Sequence, residues 1–314
     1  MTDRGELIVL QSHLVGVGDT LSLFDPISQT VTPIVARPTP SSQDAATSQI
    51  GGATGNADWI VWEESGFVLE HADWTMWAMD RATGRVAKVA SFEPGPNGKA
   101  VPGFASDVSL SGSAAAWSAP GPSGQRITIA DLRAGTHREL QTEARWPSMT
   151  GGDALIAAVR AGTDAGSGKV LSQPTTIGLR NDQASPVDWI EPARLQGLAS
   201  SSAGSVAVRL VKEATPDDPV TVAEVVTHDA AGAIGTFPLP NDWGPPAAGT
   251  GFLAWTDQRH LWVLPSGRAE PTMLLQIADD GSQIAVIANG SWIYWRTLGF
   301  GDPWASNRVA TVTC

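Results

Sequence analysis

The sequence predicts an all-β fold: a single β-propeller of four-stranded antiparallel blades, most simply seven of them, with six as the alternative count at the closure. Three observations predict it. Short apolar runs bounded by Gly, Pro, Asp and Asn follow one another along all 314 residues. No long stretch shows a capped helical period. The runs also group into degenerate units of roughly 45 residues, the self-similarity of a solenoid or propeller. Finally, many runs are apolar at consecutive positions, as at Ile60, Val61 and Trp62. Successive side chains point to opposite faces of a strand, so both faces must be covered. A sandwich would leave one polar face, whereas a blade is flanked by its neighbours.

The units are expected at 5–37, 50–92, 105–141, 148–184, 196–240, 247–276 and 280–314, within one domain spanning the chain. The first has strands at Leu7–Leu10, Leu21–Asp25 and Val31–Val35. A connector rich in Pro, Ser and Thr follows from Arg37 to Gln49. The second has Asp58–Glu64, Asp73–Asp80 and Val86–Ala90, then a Gly/Pro loop from Glu93 to Gly103. The third has Ala114–Trp117 and Ile127–Asp131. The fourth has Ala154–Val159, a long loop and Thr176–Leu179. The fifth has Val206–Val211, Val222–Val226 and Ile234–Leu239. The sixth has Phe252–Trp255 and Leu261–Leu264. The seventh has Ile284–Ile287 and Trp292–Trp295, ending on Val309–Val312. Each unit is too small to bury its own faces, so neighbours must stack. Ring closure would remove the exposed edges. The first unit lacks an innermost strand before Leu7, and Val309–Val312 is expected to pair with it.

The turns repeat. Asp80–Gly84, Asp131–Gly135 and Asp229–Gly232 each put Asp at the end of one strand and Gly just before the next. Asp accepts hydrogen bonds from the backbone of the turn, and Gly adopts a positive φ without steric cost. Gly112 to Trp117 (GSAAAW) and Gly251 to Trp255 (GFLAW) add strands of a Gly-x-x-Ala-Trp type. With strands ending in Asp-x-x-Thr/Ala-Gly, they resemble bacterial TolB-like, WD40-like propellers. The resemblance covers nearly the whole chain, although the Gly-His and Trp-Asp pairs of true WD40 repeats are absent. It implies the fold and no single activity: such propellers serve as binding scaffolds, sensors, lectins, lyases and hydrolase domains.

The formal net charge is −12, with 17% charged residues. An acidic surface without a Lys/Arg cluster disfavours nucleic acid and anionic membranes as partners. No apolar run approaches the ~20 residues that span a bilayer. The start has no apolar core of a signal peptide, so the chain reads as cytoplasmic, or as an exported or cell-envelope domain without its anchor. The only cysteine is Cys314, which allows no internal disulfide. The bias toward Ala, Gly, Arg and Trp is bacterial in character, and Asn289-Gly290-Ser291 reads as a turn rather than a glycosylation site.

The resemblance implies a functional face where the second strand of each blade ends and the blades connect. That selects the strand ends Trp62-Glu63-Glu64, Trp117-Ser118, Arg160, Arg209 and Trp255-Thr256-Asp257. It also selects the loops Gly66–Ala72, Gly162–Pro174, Asp182–Gly197 and Lys212–Pro219. Trp62, Trp117 and Trp255, with Trp146, would offer an aromatic surface to a sugar ring, an apolar side chain or a cation. The competing reading makes them core between blades. Thirteen tryptophans exceed what packing alone asks for. Glu63 and Glu64 point to opposite faces, so they are no ready-made acid/base pair. One of them could act with Asp257 across the channel, and the plain alternative is a solvated or ion-paired strand end. His13, His71, His137, His228 and His260 share no ligand spacing, so no metal and no cofactor is expected. His71, near Glu70 and Asp73, is the best single candidate for a general base. No Gly-x-Ser-x-Gly elbow is present. Gly162 to Val170 is similar to a phosphate loop, but its spacing is off by one and Val170 stands where Ser or Thr is required. It reads as a flexible insertion.

Two functions follow. One is a binding propeller for a peptide, protein or glycan, with Trp62, Glu63, Trp117, Arg160, Arg209, Trp255, Asp257 and Arg259 as ligand contacts. The other is an enzyme, a carbohydrate-active lyase or hydrolase or a biosynthetic cyclase, with His71, Glu63 or Asp257 and the arginines as its machinery. The sequence favours binding.

Overall fold

The computed structural model describes residues 1–11, 20–36, 48–66, 74–92, 108–121, 124–215, 220–239, 243–257, 259–276, 283–298 and 307–312. Its strands form seven antiparallel sheets in chain order, an all-β, seven-bladed β-propeller. Six blades, the alternative count, is thereby excluded. The chain divides into two compact units, Met1–Pro147 and Ser148–Cys314.

The first unit holds three blades. Blade 1 is Leu7–Gln11 (β1), Thr20–Asp25 (β2) and Thr30–Ala36 (β3). Blade 2 is Ser48–Gly55 (β4), Trp59–Gly66 (β5), Trp74–Asp80 (β6) and Val86–Ser91 (β7). Blade 3 is Ser109–Ser111 (β8), Ala114–Gly121 (β9), Gly124–Asp131 (β10) and Thr136–Thr142 (β11). Blade 4 begins on the boundary, with Ala144–Met149 (β12), and continues through Ala154–Thr163 (β13), Val170–Gly178 (β14) and Ala184–Pro186 (β15).

Blades 5 to 7 lie in the second unit. Blade 5 is Arg194–Ser201 (β16), Gly204–Lys212 (β17), Val222–Asp229 (β18) and Ile234–Leu239 (β19). Blade 6 is Ala247–Gly249 (β20), Phe252–Thr256 (β21), His260–Pro265 (β22) and Thr272–Gln276 (β23). Blade 7 is Gln283–Asn289 (β24), Trp292–Leu298 (β25) and Asn307–Thr311 (β26).

Packing explains the doubled apolar pattern. On one face of blade 2, Ile60 and Trp62 join Leu21, Leu23 and Ile50 in a core shared with blade 1. On the other, Val61, Trp74, Met76 and Ala78 meet Ala115, Trp117, Ala119 and Leu132 of blade 3. Each fully buried large side chain contributes roughly 1.5–3 kcal/mol by leaving water. The first strands of neighbouring blades touch: β4 meets β8, β16 meets β20 and β20 meets β24.

The Asp–Gly turns form as the spacing predicts. Asp80 Oδ1 accepts from Ala82 N and Thr83 N, Gly84 N donates to Asp80 O, and Gly84 has φ 70°. The Asp131 and Asp229 turns repeat this, with Gly135 at 67° and Gly232 at 89°. Blade 1 has the same turn at Asp25, whose carboxylate accepts from Ile27 N and Ser28 Oγ, but Gln29 takes the glycine's place at φ 56°.

Three expectations are corrected. Gly162–Pro174 is no loop or flexible insertion: β13 and β14 run on as a hairpin closed by Asp164, which accepts from Gly166 N and Ser167 N, with Gly168 at φ 67°. The segment from Asp182 to Gly197 likewise contains β15 and the start of β16. Among the described residues the last strand, β26, pairs with β25 inside blade 7 and with no other strand. Among the described residues, blades 1 and 7 have three strands and the other five have four. The position of the Asp25 turn makes β2 and β3 the third and fourth strands of blade 1. As expected, the innermost position there has no strand among the described residues.

Candidate functional site

The expected site rests on where second strands end, and two of them end later than their apolar runs suggest. β5 continues past Trp62 to Gly66, and β9 past Trp117 to Gly121. Trp62 and Trp117 therefore sit mid-strand, under neighbouring blades, with 1% and 0% of their surface exposed. Trp255 is 2% exposed, packed among Val206, Val208 and Leu253 and stacked on Phe237 at 5.3 Å. Trp117 meets Trp74 edge-on at 6.4 Å. An aromatic surface made of Trp62, Trp117 and Trp255 is thus corrected to core between blades. Trp146 alone of the four is half-buried, at φ 51°, with the Arg145 guanidinium 6.0 Å from its ring centre.

The carboxylates follow the same logic. Glu63 and Glu64 are buried rather than solvated strand ends, because β5 carries them inside the sheet. Glu64 shares a face with Trp62 and accepts a hydrogen bond from its Nε1 at 3.1 Å. Arg209 on β17 lies opposite Glu224 on β18, and its Nε and Nη2 both donate to Glu224 Oε2, at 3.0 and 2.8 Å. Arg160 and Arg259 are exposed. His71, Glu70, Asp73 and His13 lie outside the described residues, as do Cys314, the 37–47 part of the connector, the 93–103 loop and the parts of the expected loops at 67–72 and 216–219.

Asp257 closes the hairpin between β21 and β22. Its Oδ1 accepts from Arg259 N and His260 N at 2.9 and 2.8 Å. Its Oδ2 accepts from Trp262 Nε1 at 2.9 Å. The His260 Nδ1 lies 2.8 Å from Oδ1 and 3.0 Å from Oδ2. Burial alone would raise the pKa of this carboxyl. The hydrogen bonds from Trp262, Arg259 and His260 together outweigh burial and hold its pKa below the usual carboxylate value. An imidazole fixed through Nδ1 keeps Nε2 for a second partner. Sequence reasoning passed over His260 and Trp262; the signal was their spacing from an aspartate at a strand end.

A second place was also missed. Between blades 2 and 3, at the strand ends opposite those expected, a groove of about 440 Å3 opens. Trp59, Ala78, Ala87, Val89 and Leu132 give it an apolar floor, and Asp58, Arg85, Lys88 and Arg133 line it with charge. Local turns build it. Arg81 N donates to Asp58 O, Arg81 Nη1 to Asn56 O and Asn56 Nδ2 to Gly112 O, so the turns of both blades are tied together. Asp80 is occupied in capping its own turn. Arg85, Lys88 and Arg133 are exposed and form no ion pair among the described residues. Their signal in the sequence was cations at and just after two Asp–Gly turns one unit apart.

Among the described residues, no group of three His, Cys, Asp or Glu side chains could hold a metal ion, and no helix is long and apolar enough to cross a membrane.

No family model matches the chain, and no curated protein matches it. Solved structures do. The β-propeller domain of the Trilobed protease from Pyrococcus furiosus is 9% identical and superposes with a TM-score of 0.57, over 85% of this chain and 83% of that one. KlAtg21, solved in complex with the coiled-coil of AgAtg16, gives 0.56 at 9% identity, over 99% and 97%. TolB from Acinetobacter baumannii gives 0.47 at 15% identity, over 85% and 65%. At these identities the likeness is one of fold, and the first of these structures is a β-propeller domain.

Proposed function

We propose that this protein is a recognition propeller that binds a segment of another polypeptide in the groove between blades 2 and 3. One observation carries the reading: a groove of about 440 Å3 with an apolar floor and exposed charge along it. Ligand sites of roughly 300–1,000 Å3 combine those two features. KlAtg21, similar in fold, was solved in complex with a coiled-coil, which supports a polypeptide over a glycan. The test is a random-peptide phage selection on the wild-type protein, with Ala87→Arg as the counter-target. Arginine at position 87 fills the groove from an exposed strand. Recovered peptides should bind the wild type in fluorescence anisotropy and lose that binding in the variant. Equal binding to both proteins, or no recovered binder, sinks the reading.

The Asp257–His260 pair favours a second reading, an enzyme. A carboxylate that orients an imidazole is the support of a general base, here His260 through Nε2. A screen of glycan and peptide substrates would have to find turnover by the wild type that His260→Gln abolishes. Turnover unchanged in His260→Gln would remove this pair from the chemistry.

A further inference from the structure

We infer that the occupant of the groove between blades 2 and 3 is an acidic, extended polypeptide segment that adds as an outer strand to β7. The inference rests on the reading of that groove as a binding site.

The first argument is geometric. Among the described residues β7 pairs only with β6, so it is the edge of blade 2. Asp80 N donates to Arg85 O, which turns Arg85 toward β6. In an antiparallel ladder, alternate residues then face the partner and the solvent. Ala87, opposite Ala78, faces β6. The N–H and C=O of Val86 and of Lys88 point outward. The groove runs along this edge, since Arg85, Ala87, Lys88 and Val89 all line it. Residues on the free edge thus offer main-chain donors and acceptors, with an apolar floor beside them, and an added strand uses both.

The second argument is charge. Arg85, Lys88 and Arg133 share the groove with Asp58 and with Asp80, whose Oδ1 caps its own turn, so cations outnumber carboxylates there by three to two. On a chain of net charge −12, this is a locally cationic strip. Alternate side chains of an added strand lie on opposite faces, so the apolar ones turned into the groove would cover Trp59 and Leu132, while the carboxylates of the other face stand at its rim, where the long exposed side chains of Lys88 and the arginines can reach them. A lysine on an edge strand also serves to repel unwanted strands. A strand carrying carboxylates is the kind that Lys88 would admit.

The probe is a fluorescein-labelled peptide in which valine and leucine alternate with aspartate and glutamate. Its control carries lysine in place of each acid. The wild type should bind the acidic peptide, more weakly as ionic strength rises, and reject the lysine peptide. Arg85→Glu and Arg133→Glu should each weaken the acidic peptide by about tenfold. Val86→Pro removes one outward N–H and leaves the ladder to β6 intact; it should weaken binding to a similar degree. Methylating alternate backbone nitrogens of the peptide tests the same bonds without altering the protein: one of the two alternations should abolish binding. Equal binding of the lysine peptide overturns the charge assignment. Unchanged affinity of both methylated peptides overturns strand addition. If phage-selected groove binders turn out basic, the occupant named here is wrong while the groove remains a binding site. If no peptide distinguishes Ala87→Arg from wild type, both fail.

Discussion

The hairpin end of blade 6 and the groove between blades 2 and 3 both gather polar groups around tryptophan, and they do opposite things with them. At blade 6, Asp257 is 6% exposed and accepts from two backbone amides and the Trp262 indole, with His260 against both its oxygens. In the groove, Arg85, Lys88 and Arg133 are exposed and without ion pairs among the described residues. Buried polar groups must find partners within the fold or cost it stability. Exposed ones keep their hydrogen-bonding capacity for something else. The blade 6 cluster is first a structural knot, in which His260 Nε2 has no partner among the described residues. The groove is a surface whose groups the fold does not need.

Substitutions break or sharpen that comparison, and the core sets the upper end of the scale. Trp255→Ala should cost about 3–5 kcal/mol in chemical denaturation, because the indole is 2% exposed. A loss under about 1 kcal/mol would return Trp255 to the surface role expected from its place near a strand end. Asp257→Asn comes next, at about 1–3 kcal/mol at neutral pH. Its pH dependence carries a sign. The folded pKa is depressed, so the carboxylate's contribution is complete above the unfolded value of about 3.9 and is lost as pH falls through the folded value. The gap in melting temperature between wild type and variant should therefore hold from neutrality into mild acid and close only below about pH 4. A gap that closes well above pH 4 would show that this carboxylate is not the group responsible.

The turns show how much could be read in advance. Apolar runs and Asp–Gly spacing disclosed seven blades because both are local: a strand's two covered faces and a turn's φ are written in a few adjacent residues. Asp164–Gly168 obeys the same rule, with Asp164 accepting from the turn's amides and Gly168 at positive φ, although the stretch reads as an insertion in the sequence. Burial of Trp62 and Trp117 was one of two readings the sequence left open, and burial of Glu63 was not legible, since both depend on how far β5 and β9 continue beyond their apolar cores. The groove was illegible for a related reason. Its walls come from two turns about fifty residues apart, and only packing brings them together. Gln29 tests the local rule. At φ 56° it holds the position that glycine holds in the sister turns. A left-handed conformation costs roughly 1–2 kcal/mol with a side chain, and glycine's extra chain entropy takes back about 0.5–1. Gln29→Gly should therefore stabilise by about 0.5–1 kcal/mol, read as a higher denaturation midpoint.

The smallest effects separate the two regions most cleanly. Arg209→Ala removes a partly exposed ion pair with Glu224, for which solvent screening leaves about 0.2–1 kcal/mol. Arg85→Ala, Lys88→Ala and Arg133→Ala remove no ion pair among the described residues, and each should stay within about 0.5 kcal/mol of wild type. If any one of the three costs clearly more than Arg209→Ala, that cation supports the blades and is not held ready for a ligand. If all three are neutral, and the same substitutions weaken an acidic peptide, stability and binding are carried by different residues. A rigid propeller makes that division natural: its core fixes where the turns stand, and the turns can then vary their charges without the blades noticing.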